Sequence, residues 1–384
     1  MALPKGVSRK GVHWVEPSLV AEVELADWNA NAILRQASLH GLRDEKSARE
    51  VVYDRRSRAP IASAAHPEKT APRHEQTAPK EAGAASPERA RDGSLLFEGV
   101  RLTHPDRVLY PGTALTKLDV ARYYAAASDW ALPHLSRRLL TLVRSPGGPD
   151  KRPFYQRHIG AEAPEAIKRF EIAEERRTEI NLAGLVALAQ MGVLEIHPWG
   201  SRVEKLETPD RITFDLDPDP GSPWPRLTEA AVGVREALLE IGLKSFAKTT
   251  GGKGLHVVVP LTPKLGWDEV KAFAKWVADS LVAQSPGQFT ANMAKKARGG
   301  RIYLDYLRNS RGATAVGAYS PRARPGAPVS TPLFWEEVEK GVHPNGFAVE
   351  TLPNRLASLG SDPWAEMGRL RQPVNAAVRR RVGI

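Results

Sequence analysis

Three carboxylates in the second half of the chain have the pattern of a metal site. Asp215 and Asp217 lie two residues apart in the strand-like segment 211–219, and Asp305 lies in a second such segment, 301–309. Side chains two residues apart share one face of a strand, about 7 Å apart at the backbone. They can converge on two metals about 3.5–4 Å apart. Oxygen ligands suit Mg²⁺ or Mn²⁺, so we expect a catalytic centre that holds two divalent metal ions.

Two simpler interpretations of these carboxylates stay open. An Asp-x-Asp pair also occurs at an acidic strand end before a turn, which Pro218-Asp219-Pro220-Gly221 would form here. Asp305 lies in an apolar strand, where an unpaired carboxylate is costly. Either a shared metal or an ion pair with Arg308 would offset that cost.

A glycine-rich turn at Thr249-Thr250-Gly251-Gly252-Lys253-Gly254 leads into the strand-like segment 255–259. Glycines let a backbone approach phosphates, and free N–H groups can cradle them. The order differs from a Walker A loop, and a strand follows in place of a helix. Lys253 adds charge, and His256 is either a phosphate contact or a core histidine.

Arginines occur at the end of segment 301–309 and on the predicted loops beyond it. Arginine binds phosphate bidentately, although such residues can also be solvated surface. The arginines in question are Arg308, Arg311, Arg322 and Arg324.

The elements that must position these residues alternate between helices and strands. The patterns predict helices over 116–127, 181–191, 227–241 and 267–283 and a buried strand over 139–143. Thr116 and Asp119 form a predicted capping box, and Gly242 a predicted C-terminal cap. The interspersed order indicates an α/β or α+β fold.

Composition limits the function classes. The chain has 384 residues, a formal net charge of +11 and no cysteine. The charge favours polyanionic partners, although a basic proteome would give the same balance. Lack of cysteine excludes disulfides and Cys-ligated zinc and fits a cytosolic protein. We find no apolar run long enough to span a bilayer and no signal-peptide core, so no membrane partner is expected.

Residue composition and apolar patterning divide the chain into three regions. Residues 1–50 include the strand-like stretch 19–25, with alternate apolar positions. Residues 51–93 are rich in alanine, proline and charge, which predicts a flexible linker. Residues 94–384 have the composition expected of a globular domain.

Three motifs, the Asp-x-Asp segment 211–219, the glycine-rich turn with its strand and the segment 301–309, follow one another in the chain. In this order they resemble the primase–polymerase domain of bacterial ligase D proteins, within the archaeo-eukaryotic primase superfamily. The resemblance covers residues 95–384. It implies a central, mainly antiparallel sheet flanked by helices. It also implies that the three aspartates hold metal and that the incoming triphosphate is held by Thr250, Gly251, Lys253, His256, Arg308 and Arg322. The family usually has serine where this chain has Thr250.

The resemblance extends to DNA contacts. It implies that His104, Arg107 and Lys117 bind a 5′-phosphate of the downstream strand. Phe154 and Tyr155 could stack on template bases, since aromatic side chains bind single strands tolerantly, or Phe154 could be core. His197 is similar to a family position close to the nucleotide.

Residues 1–50 resemble the last part of the OB-fold domain of an ATP-dependent DNA ligase, through Gly11-Val12-His13-Trp14-Val15-Glu16-Pro17 and Gly41-Leu42-Arg43-Asp44-Glu45-Lys46. The ligase Lys-x-Asp-Gly motif is absent, so the sequence predicts no ligase activity from this small β remnant.

Together these resemblances predict a template-directed nucleotidyltransferase that uses NTP or dNTP to extend or fill DNA ends in bacterial non-homologous end joining. They imply a ribonucleotide preference, 5′-phosphorylated DNA, the Ku end-binding protein and a ligase domain as partners, and a cytoplasmic, nucleoid-associated location. Two alternatives stay open. One is a non-catalytic DNA-end binding module, and the other is a primase that starts chains de novo.

Overall fold

The computed structural model describes the backbone of residues 21–24, 27–28, 34–35 and 38–42, then 89–110, 112–148, 151–157, 163–172, 175–343 and 346–384. The chain divides into two compact units, residues 1–81 and 82–384. The predicted linker lies, up to residue 88, outside the described residues, and the predicted domain boundaries stay a prediction.

Four short strands lie among the residues of the first unit that the structure describes. They are β1 (Ala21–Glu24), β2 (Asp27–Trp28), β3 (Leu34–Arg35) and β4 (Ser38–Leu42). The β1 strand pairs antiparallel with β4, and β2 with β3. The strand expected over 19–25 is therefore present at 21–24.

The second unit is a mixture of strands and helices. Its strands are β5 (Leu95–Phe97), β6 (Val100–Leu102), β7 (Leu140–Arg144), β8 (Phe154–Gln156), β9 (Lys168–Ile172), β10 (Glu175–Glu179), β11 (Val193–Pro198), β12 (Arg211–Pro218), β13 (Phe246–Thr249), β14 (Leu255–Pro260), β15 (Phe289–Thr290), β16 (Ile302–Asp305), β17 (Ser320–Pro321), β18 (Val329–Ser330) and β19 (Pro332–Leu333). Its helices are α1 (Lys117–Leu135), α2 (Leu182–Gln190), α3 (Trp224–Glu240), α4 (Trp267–Gln284), α5 (Trp335–Glu339), α6 (Leu352–Ser358) and α7 (Ala376–Val382).

Two sheets organise this unit. The larger has the order β15-β16-β12-β14-β13-β19 and is antiparallel except for the β15–β16 pair. The smaller has the order β11-β7-β8 and is antiparallel. The fold is thus mixed α/β with a mainly antiparallel central sheet, which confirms the predicted class.

The hydrophobic core has two main parts. One forms around α1, α2 and the smaller sheet, and the other lies between α3, α4 and the larger sheet. Ile212, Phe214 and Leu216 of β12 belong to the second part and are fully buried. Since strand side chains alternate, the opposite face of β12 is left to its polar residues.

The predicted helices are present, with shifted ends. The capping box at Thr116 and Asp119 is confirmed, but α1 continues to Leu135 where the sequence analysis ended it at 127. The extension follows from a buried stripe, Ala127, Ala131 and Leu135, spaced at four residues. No helix among the described residues is both long and apolar enough to cross a membrane.

Candidate active site

The three predicted carboxylates lie on neighbouring strands of the larger sheet. Asp215 and Asp217 project from β12, opposite the face that Phe214 and Leu216 bury. Asp305 ends β16 and is directly opposite Asp215 in the antiparallel register. The sheet therefore brings together two segments that are 90 positions apart in the sequence, a pairing that no local pattern reveals.

The same register extends into a row of polar residues across four strands. Lys248 is opposite His256, His256 is opposite Asp215, and Asp215 is opposite Asp305. His256 Nε2 lies 3.4 Å from Asp215 Oδ1. Lys248 Nζ donates to Ser330 Oγ at 2.6 Å. The histidine is buried, as in the core alternative, but its buried contact is with a predicted metal ligand.

The two opposed carboxylates have pKa values that are shifted in opposite directions. Burial works against ionisation of Asp215, but the neighbouring His256 and the charge of Arg308 outweigh it, and the pKa of Asp215 falls to about 2. Burial raises the pKa of Asp305, and Asp215 adds to this effect while Arg308 opposes it. Burial and the neighbouring Lys248 lower the pKa of His256 to about 4, so its imidazole is neutral at pH 7.

Two arginines neutralise these carboxylates. Arg308 Nε lies 3.0 Å from Asp305 Oδ2 and 3.7 Å from Asp215 Oδ2. Arg298, which is almost fully buried, lies 2.9 Å from Asp217 Oδ2 through its terminal nitrogen. The Asp305–Arg308 ion pair considered from the sequence is thus present. In the part of the chain that the structure describes, no three His, Asp or Glu side chains are arranged to hold a metal ion.

The donor set nevertheless fits hard divalent cations. Three carboxylates on adjacent strands supply only oxygen ligands, the set that Mg²⁺ and Mn²⁺ prefer. Burial and the neighbouring Asp215 raise the pKa of Asp305, so ionisation of both carboxylates is costly in this site. Cations between the carboxylates would relieve that cost, so Asp215, Asp217 and Asp305 are the residues that would hold them.

The glycine turn between β13 and β14 is closed by the Thr250 hydroxyl, which contacts both the N–H and the C=O of Gly254, at 3.2 and 3.1 Å. Gly251 has a φ of +63°, a region that favours glycine. A Cβ at Gly254 would lie 2.6 Å from the Leu216 carbonyl oxygen, so the turn approaches β12 beside the carboxylates. Lys253 is exposed at the tip of the turn.

A buried carboxylate that the sequence analysis did not identify supports this turn. Glu195 Oε2 lies 2.7 Å from His197 Nε2 and 3.0 Å from Arg322 Nε. Arg322 in turn donates to the Thr250 carbonyl at 2.5 Å. Burial opposes ionisation of Glu195, but His197 and Arg322 lower its pKa to about 2. A Glu and a His two residues apart in an apolar strand are the signal that could have indicated the cluster.

Most predicted site residues meet in one cavity of about 800 Å³ between the two sheets. The predicted residues that line it are Tyr155, His197, Asp215, Asp217, Thr250, Lys253, His256, Asp305, Arg308, Arg322 and Arg324. Arg311 is instead bound to Glu207 at 2.7 Å. Arg298 and Lys295 also line the cavity, and no motif had indicated them.

The predicted 5′-phosphate residues form a separate group that backbone hydrogen bonds hold together. The Arg107 N–H donates to His104, and the Lys117 N–H donates to Arg107. Lys117 Nζ is buried against the Thr103 carbonyl at 2.6 Å, whereas the other two side chains are exposed. Burial and the neighbouring Arg107 lower the pKa of Lys117 to about 8.

The two aromatic residues predicted to contact a template are exposed on β8. Phe154 is 45% exposed and Tyr155 is 61% exposed, so core packing of Phe154 is excluded. The Tyr155 ring lies edge-on to His197, with 6.3 Å between ring centroids, and so stands beside the main cavity.

Comparison with known proteins agrees with this geometry. Residues 116–364 match the family model of the LigD primase-polymerase domain, and residues 2–46 match the C terminal region of ATP dependent DNA ligases. The chain is 39% identical to the multifunctional non-homologous end joining protein LigD of Pseudomonas aeruginosa, over 99% of this chain and 44% of that protein. It is 34% identical to the LigD of Mycobacterium tuberculosis, over 64% of this chain and 34% of that protein.

A solved structure gives the same result. The polymerase domain of Mycobacterium tuberculosis ligase D, in a complex with DNA, superimposes with a TM-score of 0.66 and 31% identity, covering 70% of this chain and 98% of that one. The chain spans less than half the length of the curated LigD relatives it matches. On the match of residues 116–364, this chain belongs to the LigD primase-polymerase domain family.

Proposed function

We propose that the chain is a template-directed nucleotidyltransferase that extends primers or fills gaps at DNA ends during bacterial non-homologous end joining. The observation that carries the proposal is the shared cavity. One wall holds Asp215, Asp217 and Asp305, and another holds Lys253 and Arg322. Carboxylates for metals next to cations for phosphates are what transfer of a nucleotidyl group requires.

The reaction joins a primer 3′-oxygen to the α-phosphorus of a nucleoside triphosphate and releases pyrophosphate. Divalent metals held by the three aspartates would lower the pKa of the 3′-hydroxyl and bind the phosphates. Lys253, at the exposed tip of the glycine turn, neutralises charge that develops on the triphosphate. Arg322 also faces the cavity, and its hydrogen bond to the Thr250 carbonyl fixes the turn relative to its own guanidinium.

Other residues of the chain prepare the site. Neutral His256 donates a hydrogen bond toward Asp215, which keeps that carboxylate ionised and oriented. Arg308, 46% exposed, neutralises the opposed carboxylates and also faces the cavity, where it can reach a phosphate. Glu195 keeps Arg322 in position.

DNA binding follows from the remaining cationic and aromatic residues. Lys117, Arg107 and His104 form the site for a 5′-phosphate downstream of the gap. Tyr155 and Phe154 present exposed rings on which template bases stack.

We propose ribonucleotides as the preferred substrates. We also propose the Ku end-binding protein and a DNA ligase domain as partners, in the bacterial cytoplasm and on nucleoid DNA. The names of the LigD relatives support a role in end joining, and the ligase-like match of residues 2–46 supports a ligase domain as a partner.

The test is primer extension on a gapped duplex that carries a 5′-phosphate, with Mn²⁺ or Mg²⁺ and either ribo- or deoxynucleotides. We expect extension by the parent chain and loss of extension by Asp215→Ala and Asp305→Ala. The matched control is Asp279→Ala, which removes an exposed carboxylate of α4 that pairs with Lys275.

The alternatives give different results. A DNA-end binding module would show 5′-phosphate-dependent binding without metal-dependent synthesis, which contradicts the proposal. A de novo primase would synthesise on a single strand without a primer. Equal use of ribo- and deoxynucleotides would refute the sugar preference only.

A further inference from the structure

A second cavity, of about 760 Å³, lies apart from the carboxylates and is lined by the first residue of β12 and the last of β14. Its wall includes Arg211, which shares the face of Asp215 and lies four residues before it, about 13 Å along the strand. The catalytic carboxylates and the glycine turn do not line this cavity. Its volume is in the range of small-molecule sites.

The lining is cationic. Six of its residues are Arg or Lys and four are Asp or Glu. Three arginines share one carboxylate, Asp210. Arg138 binds it through two hydrogen bonds of 2.6 and 2.7 Å, Arg202 lies 3.1 Å from it, and Arg211 lies 3.9 Å from it. The single negative charge of Asp210 can therefore balance only one of the three arginine charges.

Arg211 has unused hydrogen-bonding capacity. Its side chain is 10% exposed, and its Nε has no hydrogen-bond partner among the described residues. The hydrogen bond that its guanidinium makes is a long one, 3.3 Å, to the His134 carbonyl. Burial and the neighbouring Arg138 and Arg202 lower its pKa to about 9. A buried guanidinium with unsatisfied donors is costly unless an anion completes its contacts.

Two other carboxylates close to this cluster do not provide that anion. Glu204 is paired with Arg137 at 2.5 Å. Asp362 accepts hydrogen bonds from His134 Nε2 at 3.0 Å, Tyr319 at 3.1 Å and the Trp364 N–H at 2.7 Å. Leu261, Trp364 and Met367, which are largely buried, give the cavity an apolar wall as well. The ligand that fits has one strongly anionic group and an apolar or planar part.

We propose that this cavity is a further phosphate-binding site, in which Arg202 and Arg211 bind the phosphate ester of a ligand of about nucleotide size. The paired acceptor oxygens of a phosphate match the fork of guanidinium donors. The phosphate comes either from a free phosphorylated molecule or from a nucleic-acid strand. The site is separate from the triphosphate site and does not depend on the polymerase function.

The experiment is isothermal titration of the full chain with AMP and, separately, with inorganic phosphate, and with adenosine as the uncharged control. Arg202→Ala is the main variant, because Arg202 is 34% exposed and its removal leaves Asp210 with Arg138. We expect it to weaken AMP binding at least tenfold at this site. Arg211→Lys, which retains charge but loses the fork, should weaken binding similarly.

Three controls locate the site. Lys253→Ala and Arg107→Ala remove cations of the triphosphate and 5′-phosphate sites and should leave this binding event unchanged. Arg226→Ala removes a half-buried arginine outside the cavity, whose guanidinium contacts the Gly287 carbonyl. Thermal melts check that each variant is folded. Polymerase activity is not a readout, so its absence does not affect the result.

The outcomes separate clearly. Binding lost in Arg202→Ala and Arg211→Lys but retained in the three controls supports the site. Competition between AMP and a short oligothymidylate then identifies a nucleic-acid strand as the phosphate source, and lack of competition identifies a free ligand. Equal affinity in the parent and both cavity variants overturns the proposal, as does binding that Lys253→Ala or Arg107→Ala abolishes.

Discussion

Asp215 and Asp305 are directly opposed on two antiparallel strands, and Arg308 lies within 4 Å of both carboxylates. The two groups have the same chemistry but different environments. Asp215 also receives a hydrogen bond from His256, whereas Asp305 has a raised pKa because of burial and the charge of Asp215. The surroundings therefore stabilise the ionised form of Asp215 and disfavour the ionised form of Asp305.

This asymmetry predicts opposite effects of two substitutions on stability. The lowered pKa of Asp215 means that its ionised form stabilises the fold, so Asp215→Asn should lower the free energy of unfolding by about 2 kcal/mol at pH 7. The raised pKa of Asp305 means that folding does not favour its ionised form, so Asp305→Asn should not destabilise the protein. Both variants should lose primer extension by about 10³-fold or more, because each removes a metal ligand.

Urea unfolding and primer extension, measured on the same preparations, check this pair. The stabilisation from Asp215 should decrease as the pH falls from about 4 through its folded pKa of about 2. Equal destabilisation by both substitutions would contradict the predicted asymmetry.

Lys253 and Arg322 line the same cavity but should differ when removed. Lys253 is exposed, so Lys253→Ala should raise the KM for the triphosphate without changing the melting temperature. Arg322 is 17% exposed and pairs with buried Glu195 at 3.0 Å. Arg322→Ala should therefore raise the KM and also lower stability by about 1–3 kcal/mol, because it leaves a buried carboxylate with fewer partners.

Steady-state kinetics and thermal melts of both variants separate the two effects. Adding Glu195→Gln to Arg322→Ala removes the unpaired charge and should restore part of the stability but not the KM. A melting temperature that falls equally in Lys253→Ala would show that Lys253 has a structural role.

Gly254 tests the close approach between the glycine turn and β12. A methyl group there would meet the Leu216 carbonyl oxygen at 2.6 Å, too close without movement of backbone between Asp215 and Asp217. We expect Gly254→Ala to reduce extension by at least tenfold and to lower stability. Gly233→Ala, in open space on the surface of α3, is the matched control and should be neutral or slightly stabilising. Unchanged extension by Gly254→Ala would show that the carboxylates tolerate the shift.

The sequence predicted the parts of the site that depend on local pattern. The alternation in β12 placed Asp215 and Asp217 on one face, and the glycines predicted the turn before β14 because few other residues adopt such backbone. Thr116 and Asp119 predicted the start of α1 because a capping box is a contact between residues three apart. Each of these features is decided within a few residues.

What the sequence did not predict depends on pairing between distant segments. The row of Lys248, His256, Asp215 and Asp305 exists only through strand register, and Arg298 reaches Asp217 from a loop 81 positions away. The Glu195–Arg322 contact joins residues 127 positions apart. The Glu-x-His spacing in β11 can mark Glu195 as a candidate, but it does not indicate the distant partner Arg322. The charges of such pairs could therefore not be assigned before the fold was known.

Lys117 predicts how recognition of a 5′-phosphate depends on pH. Its pKa of about 8 lies below the usual lysine value because burial and Arg107 disfavour the charge. The side chain is cationic below that pH and neutral above it, while the phosphate stays dianionic above about pH 7. The preference for 5′-phosphate over 5′-hydroxyl DNA should therefore begin to fall near pH 8 and continue to fall toward pH 9.5. Fluorescence anisotropy with the two gapped duplexes, at constant ionic strength, measures that ratio.

Lys117→Met should show a weaker preference that no longer changes with pH, whereas Arg107→Ala should lower the preference and keep the pH dependence. A ratio that stays constant from pH 7 to 9.5 in the parent chain would remove Lys117 from the phosphate site.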